Sequence, residues 1–423
     1  MSPKTDKEER LKKRLGLHLS MTVQEILDGL EQDPARPAEM DYFDAFFKRF
    51  IEDDREIVRS NGKKIIGIYC MSVPEELIYA AGALPVRLCS GSADAAEAGE
   101  SYLPEVSCPM VKAAAGLSAV DVLPLYQSCD LVVIPATCDW KVKLGEIISK
   151  FVPVMMLDLP RIKHLENSRL FWYREILRLK KALEKINKTK ITPKRLRGAI
   201  SIIHAAQIEL NRFRQIRKKD IHVISGRDAI AVMNIYFYDD ASSWTAAMAR
   251  LNDALEKRIA TKVRVTPKSA PRILLTGSPV VFPNWKIPQL IEETGGALVC
   301  DELCTSNRYL GDMVAMDEML NEDILHSLAD RYLLPCTCPV FSETVDRRNK
   351  LLQMIEDYQV EGVVHHILKG CHPYDAELYS VERELANKGI SQLKIETDYN
   401  PEDTEQIRTR MEAFIETLKG RRE

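Results

Sequence analysis

The chain lacks any long hydrophobic run. Its most apolar stretches, such as Leu131 to Pro135 and Val152 to Leu157, fall far short of the roughly 18 residues that span a bilayer, so no membrane segment is expected. Met1 to Leu17 has no apolar centre and is crowded with Lys4, Lys7, Glu8, Glu9, Arg10, Lys12, Lys13 and Arg14, which speaks against a secretory signal and makes the cytoplasm the expected location. No basic stripe is interleaved with aromatics, and a formal charge of -3 selects no polyanion, so no nucleic-acid partner is expected. There is no G-x4-G-K-[ST] phosphate loop, hence no sign that the chain hydrolyses ATP itself. The paired, closely spaced cysteines of a zinc ribbon are missing too: Cys300 with Cys304 and Cys336 with Cys338 have no convincing mates, and there is no compact ferredoxin-type run.

What is present is the material of a soluble globular protein, with 45% hydrophobic and 29% charged residues. A chain of 423 residues is too long for one ordinary core and is expected to divide into two or three domains. An apolar strand, Ile65 to Tyr69, runs into Cys70 and a helix start at Pro74, Glu75 and Glu76; strands at Leu131 to Pro135 and Pro153 to Leu157 follow. Continuous apolar strands alternating with helices indicate a parallel sheet covered on both faces. From about Arg161 to Lys262 the pattern turns helical, with Thr192-Pro193 opening one helix. A second α/β series follows, with strands at Arg272 to Leu275, Ala297 to Val299, Gly362 to Leu368 and Gln392 to Ile395.

Ten cysteines in a reducing compartment point to metal, redox or plain packing and away from disulfides. In open parallel sheets ligands bind beyond the carboxyl ends of the strands. Cys70, Cys138, Cys300 and Cys371 are all expected at such ends, while Cys108 precedes Pro109 in a stiff, loop-like segment. Thiolates suit iron-sulfur clusters, zinc or copper alike, so the sulfur inventory does not choose the metal.

Several segments carry a more specific likeness. Tyr69-Cys70-Met71-Ser72-Val73-Pro74-Glu75-Glu76 with Ala80 to Val86, Cys108-Pro109 with Lys112, Thr137-Cys138-Asp139 with Lys141 and Lys143, Lys369-Gly370-Cys371-His372-Pro373-Tyr374, and Ile395 to Tyr399 with Thr409 to Phe414 resemble, in order, the 2-hydroxyacyl-CoA dehydratase and benzoyl-CoA reductase family. The likeness covers roughly residues 60 to 155 and 270 to 418. It implies a 4Fe-4S cluster held by Cys70, Cys108 and Cys371, with one iron open to a thioester oxygen. It also implies a separate ATP-dependent activator, itself an iron-sulfur protein, that injects a low-potential electron for ketyl-radical chemistry on an acyl-CoA. A homodimer or a related partner subunit belongs to the same expectation.

The further cysteines resemble the double-cubane branch of that superfamily, homodimers that reduce small molecules. An eight-iron cofactor there would draw on Cys129, Cys138, Cys336 and Cys338, with buried packing thiols as the plain alternative. A non-catalytic electron carrier or partner subunit, or a zinc protein, is the competing class.

The expected fold is α/β: two flavodoxin-like parallel-sheet domains, 61–165 and 266–423, flanking a helical region, 166–265, after a helical extension, 1–60. Glu75 and His372 are the candidate proton carriers. For Glu75 and Glu76, pairing with the helix dipole is the preferred explanation. Lys141 and Lys143 are read either as contacts to CoA phosphates or as a solvated helix face. His365 and His366, adjacent on a strand, must point to opposite sides. Asp398 and Tyr399 are expected to line the same crevice as Cys371.

Overall fold

In the computed structural model, described for residues 6–31, 33, 35–52, 62–315 and 321–421, the chain builds two four-stranded parallel sheets. The first comprises β1 (Ile65–Ile68), β2 (Leu84–Arg87), β3 (Leu131–Pro135) and β4 (Val154–Leu157), in the order β2-β1-β3-β4. The second comprises β5 (Arg272–Gly277), β6 (Ala297–Glu302), β7 (Gly362–Leu368) and β8 (Ser391–Thr397), in the order β6-β5-β7-β8. Each sheet thus has its second strand at one edge, then its first, third and fourth. The two α/β units share one wiring, although their sequences show no repeat.

Residue chemistry accounts for these positions. The central strands β1 and β7 are buried along their whole length, as strands covered on both faces must be. The edge strand β8 is half exposed and carries Lys394 and Glu396, charges that discourage pairing with another chain. Strand β2 was not expected from sequence because Pro85 interrupts it. Proline is tolerated there because β2 is an edge, where a missing backbone donor costs no ladder bond on the open side.

Between the sheets lie the helices Glu166–Asn187, Pro193–Arg217, Gly226–Tyr236 and Ala241–Thr261. Three begin with side-chain caps: Thr192, Ser225 and Asp240 accept from the backbone N-H groups of Arg195, Asp228 and Ser242. Buried charge ties this region to both its neighbours. Arg217 pairs with Asp301 in β6 at 3.5 Å, and Arg36 holds Asp228 at 2.8 Å, docking the N-terminal helices Asp6–Glu31 and Asp41–Glu52. Among the described residues no helix is long and apolar enough to cross a membrane.

The observed boundaries move one cysteine. β6 extends to Glu302, so Cys300 lies inside the strand, paired across to Leu274 and fully buried, and does not follow the strand end. Burial pushes its thiol well up, as suits a packing residue.

Candidate functional site

The carboxyl ends of both sheets face one cleft, and the cysteines enter it from both sides. Cys70 follows β1, Cys138 follows β3, Cys371 follows β7, and Cys108 comes from the loop before the helix Pro109–Val120. Cys70 has a positive φ of 71°, a left-handed conformation that costs an ordinary residue about 1–2 kcal/mol. Such strain persists where surrounding structure imposes it. Cys108, Cys138 and Cys371 occupy the N-cap positions of three helices, and none uses its side chain to cap a backbone donor. Each thiol therefore sits at the positive end of a helix and remains available to another partner.

Cys108 and Cys371 are brought together by backbone contact. Gly370 has φ 76°, and a β-carbon there would lie 2.3 Å from the Val106 carbonyl oxygen and 3.0 Å from the Cys108 nitrogen, so only glycine allows the two loops to approach this closely. The indole N-H of Trp140, from the helix that starts at Cys138, donates to the Gly370 carbonyl at 3.1 Å. A hydrogen bond between the Cys108 and Cys371 thiols raises the one and lowers the other, Cys371 to about 7, with Ser278 and the Tyr374 N-H assisting.

Two buried cations face the sulfurs. Burial alone would lower Lys141, but the thiols of Cys70, Cys138, Cys89 and Cys304 around it hold its ammonium above the ordinary value. Burial would likewise raise Cys70, yet Lys141, Arg87 and hydrogen bonds from Ser72 hold it below its usual range. Arg87, fully buried, reaches Cys89 Sγ at 3.5 Å and the Cys304 carbonyl at 3.2 Å, and its guanidinium lies 4.5 Å from the Phe237 ring centre.

The other expected site residues separate into groups. Cys336 and Cys338 lie within reach of Cys70 and of Arg308; burial lifts both thiols, Cys336 to about 11, against the pull of that guanidinium. Cys129 stands at the opposite end of β3, where its thiol donates to the Leu125 carbonyl at 3.3 Å and burial pushes it up to about 12. The structure does not bring it to the cleft. His372 is exposed, with its ring centre 6.0 Å from that of Trp140. Lys143 is exposed and pairs with Glu146 at 3.0 Å, so the two lysines of one helix have different surroundings. His365 and His366 are both buried within β7.

Glu75 and Glu76 differ from the dipole-pairing expectation. Both are buried: Tyr236 donates to Glu75 at 2.8 Å and Tyr309 donates to its other oxygen, while Tyr332 donates to Glu76 at 2.7 Å. The helix there starts at Pro74 without a side-chain cap. Burial pushes Glu75 up to about 7, the range of a group that can give and take a proton near neutrality.

Sequence reasoning counted Cys304 and Cys89 among the additional cysteines without placing either at the site, and it missed Arg87 and the burial of Lys141. Cys304 was discoverable, since it follows the true end of β6 by two residues. Arg87, placed in the edge strand that Pro85 concealed, was not.

A groove of about 1050 Å³ opens beside Ser107, Pro109, Gly370 and His372. Its walls include Glu105, Asp375 and Glu396, while its two lysines, Lys112 and Lys369, pair with Glu100 and Asp398. This surface is acidic and disfavours phosphate groups.

Among the described residues no three His, Cys, Asp or Glu side chains are gathered as they would be around a single metal ion. A polynuclear cluster takes its thiolates from farther apart. Three free thiols on loops from two sheets, Cys108 and Cys371 at helix N-termini and Cys70 beside the buried cations Lys141 and Arg87, fit that larger group.

Two like-wired parallel α/β units with thiols at their shared cleft define a class, and comparison with known proteins identifies it. A family model for the 2-hydroxyglutaryl-CoA dehydratase D-component matches residues 70–418. An Escherichia coli protein, provisionally named as dehydratase subunit YjiM, is 34% identical over 85% of this chain and 93% of its own length. The (R)-phenyllactyl-CoA dehydratase beta subunit of Clostridium sporogenes is 24% identical over 88% and 97%, and a benzoyl-CoA reductase subunit of Thauera aromatica 22% over 84% and 91%. The chain belongs to the 2-hydroxyglutaryl-CoA dehydratase D-component family.

Proposed function

We propose that this chain is the iron-sulfur subunit of a 2-hydroxyacyl-CoA dehydratase or acyl-CoA reductase type enzyme, working with a related subunit or a second copy and with a separate ATP-dependent activator. The observation that carries the reading is the approach of Cys70, Cys108 and Cys371 from both sheets, Cys108 bonded to Cys371 and Lys141 within reach of both Cys371 and Cys70, in a chain of this family. These three residues would hold the 4Fe-4S cluster. When bound, such a cluster supplies a low-potential electron and an iron open to an oxygen ligand.

The chain's own residues supply the rest. Gly370 lets the Cys108 and Cys371 loops meet, and Trp140 ties the Cys371 loop to the helix that starts at Cys138. Lys141 and Arg87 offset the negative charge of the thiolates inside a cleft that excludes water. Glu75, held by two tyrosines, is the residue suited to moving a proton; His372, at the groove, is the second candidate. The phosphates of a CoA thioester are expected away from the acidic groove.

A second reading is a homodimeric double-cubane reductase of small molecules. It is favoured by the additional thiols Cys304 and Cys338 around Arg308, with Cys336 and Cys338 both within reach of Cys70. Iron and acid-labile sulfide per chain, with the EPR spectrum, on protein purified without oxygen test both. About four irons support the single-cluster dehydratase type and about eight the double cubane. Protein prepared in this way without iron contradicts either.

A further inference from the structure

The hydroxyl of Tyr399 is a buried donor with no acceptor among the described residues. The residue is only 5% exposed, and a phenylalanine would fill the same space without a group that needs a partner. The loop that presents it cannot readily swing away. Lys286 Nζ lies 2.7 Å from Thr397 Oγ1, 3.1 Å from the Asp398 carbonyl, 2.8 Å from the Asn400 carbonyl and 2.6 Å from Asp403 Oδ1, so one ammonium fixes the chain on both sides of Tyr399. Asp398 is held separately by Lys369 at 2.9 Å.

Tyr399 lines the groove together with Ser107, Pro109, Gly370 and His372, the chain neighbours of Cys108 and Cys371, and its phenol lies within electrostatic reach of the thiols of Cys108, Cys89 and Cys371. Cys89 already accepts from Arg87 Nε at 3.5 Å, while Cys108 and Cys371, joined by their own hydrogen bond, are the pair assigned to the sulfur centre. A phenol O-H donates, and an ionised or metal-bound sulfur accepts.

We infer that the Tyr399 hydroxyl donates a hydrogen bond to the sulfur centre built on Cys108 and Cys371, acting as a positioning residue that sets the reduction potential of that centre. The inference rests on the iron-sulfur reading of the site. A donor to a ligand sulfur stabilises the more negative, reduced state, so it raises the potential; hydrogen bonds to the sulfurs are among the factors that tune such centres. No bond is made or broken by the tyrosine.

The experiment compares wild-type protein, Tyr399→Phe, and protein with 3-fluorotyrosine at position 399, all prepared anaerobically, by iron and sulfide analysis and an EPR-monitored redox titration. The expected result is equal iron in all three, a more negative potential in Tyr399→Phe, and a more positive one with fluorotyrosine, whose hydroxyl is the stronger donor. Equal potentials at full iron loading overturn the inference and leave the site assignment standing. Wild-type protein without iron overturns the assignment and the inference with it. Should Tyr399→Phe lose its iron, the fluorotyrosine protein decides: a positive shift supports the inference, and an unmoved potential overturns it.

Discussion

The indole of Trp140 donates to the carbonyl of Gly370 at 3.1 Å, a hydrogen bond between the helix that follows the third strand of one sheet and the loop that follows the third strand of the other. It ties Cys138, on one side of the cleft, to Cys371 on the other. Trp140→Phe removes the donor and keeps most of the packing. The expected loss of stability is about 1 kcal/mol, read from urea unfolding of the metal-free chain, together with faster loss of iron to a chelator in the anaerobically prepared protein. Unchanged release of iron would show that the bond does not hold the cleft together.

Gly370→Ala tests the contact itself. The left-handed backbone costs an alanine about 1–2 kcal/mol, and the added carbon meets the Val106 carbonyl, which is backbone and cannot rotate aside. A loss of more than about 2 kcal/mol is expected, with poor iron retention. A variant as stable as wild type would mean that the Cys108 loop is free to retreat.

Glu75 predicts a particular dependence of stability on pH. Its carboxyl is raised from 4.5 to about 7 in the folded chain, with burial as the main cause. Below pH 4.5 both states carry the proton. Between 4.5 and 7 the unfolded chain gives it up while the folded chain keeps it, so this contribution to stability falls by up to about 3 kcal/mol and is flat above 7. Glu75→Gln removes the titration. Denaturant midpoints at about pH 5 and about pH 8 should differ less in the variant than in wild type. The same slope in both proteins would place the titrating group elsewhere.

Cys129 separates a packing thiol from a ligand. Its hydrogen bond to Leu125 and its place at the far end of β3 predict that Cys129→Ala lowers stability by about 1 kcal/mol and leaves the iron content unchanged. Loss of iron in this variant would require a different arrangement of the cleft.

The fold was readable because its signals are local and strong. The all-apolar strand Leu131–Pro135, and Gly362–Leu368 with its apolar residues on both sides of His365 and His366, read as buried parallel strands, and their carboxyl ends pointed to Cys138 and Cys371. Boundaries were harder. Asp301 and Glu302 continue β6 although they are charged, because Arg217, Arg308 and Arg347 pair with them in the interior, and no local pattern reveals partners so distant in sequence. The same limit explains Glu75 and Lys141. Charged residues on short helices look like solvated faces until the tyrosines and thiols that bury them are assembled by the fold.

The most direct test of the central claim is the iron content of Cys70→Ala, Cys108→Ala and Cys371→Ala beside wild type, all purified without oxygen. The structure predicts that each of the three loses its iron while wild type retains it. Wild-type iron content in folded Cys70→Ala or Cys371→Ala would contradict the assignment of the cleft as the cluster site.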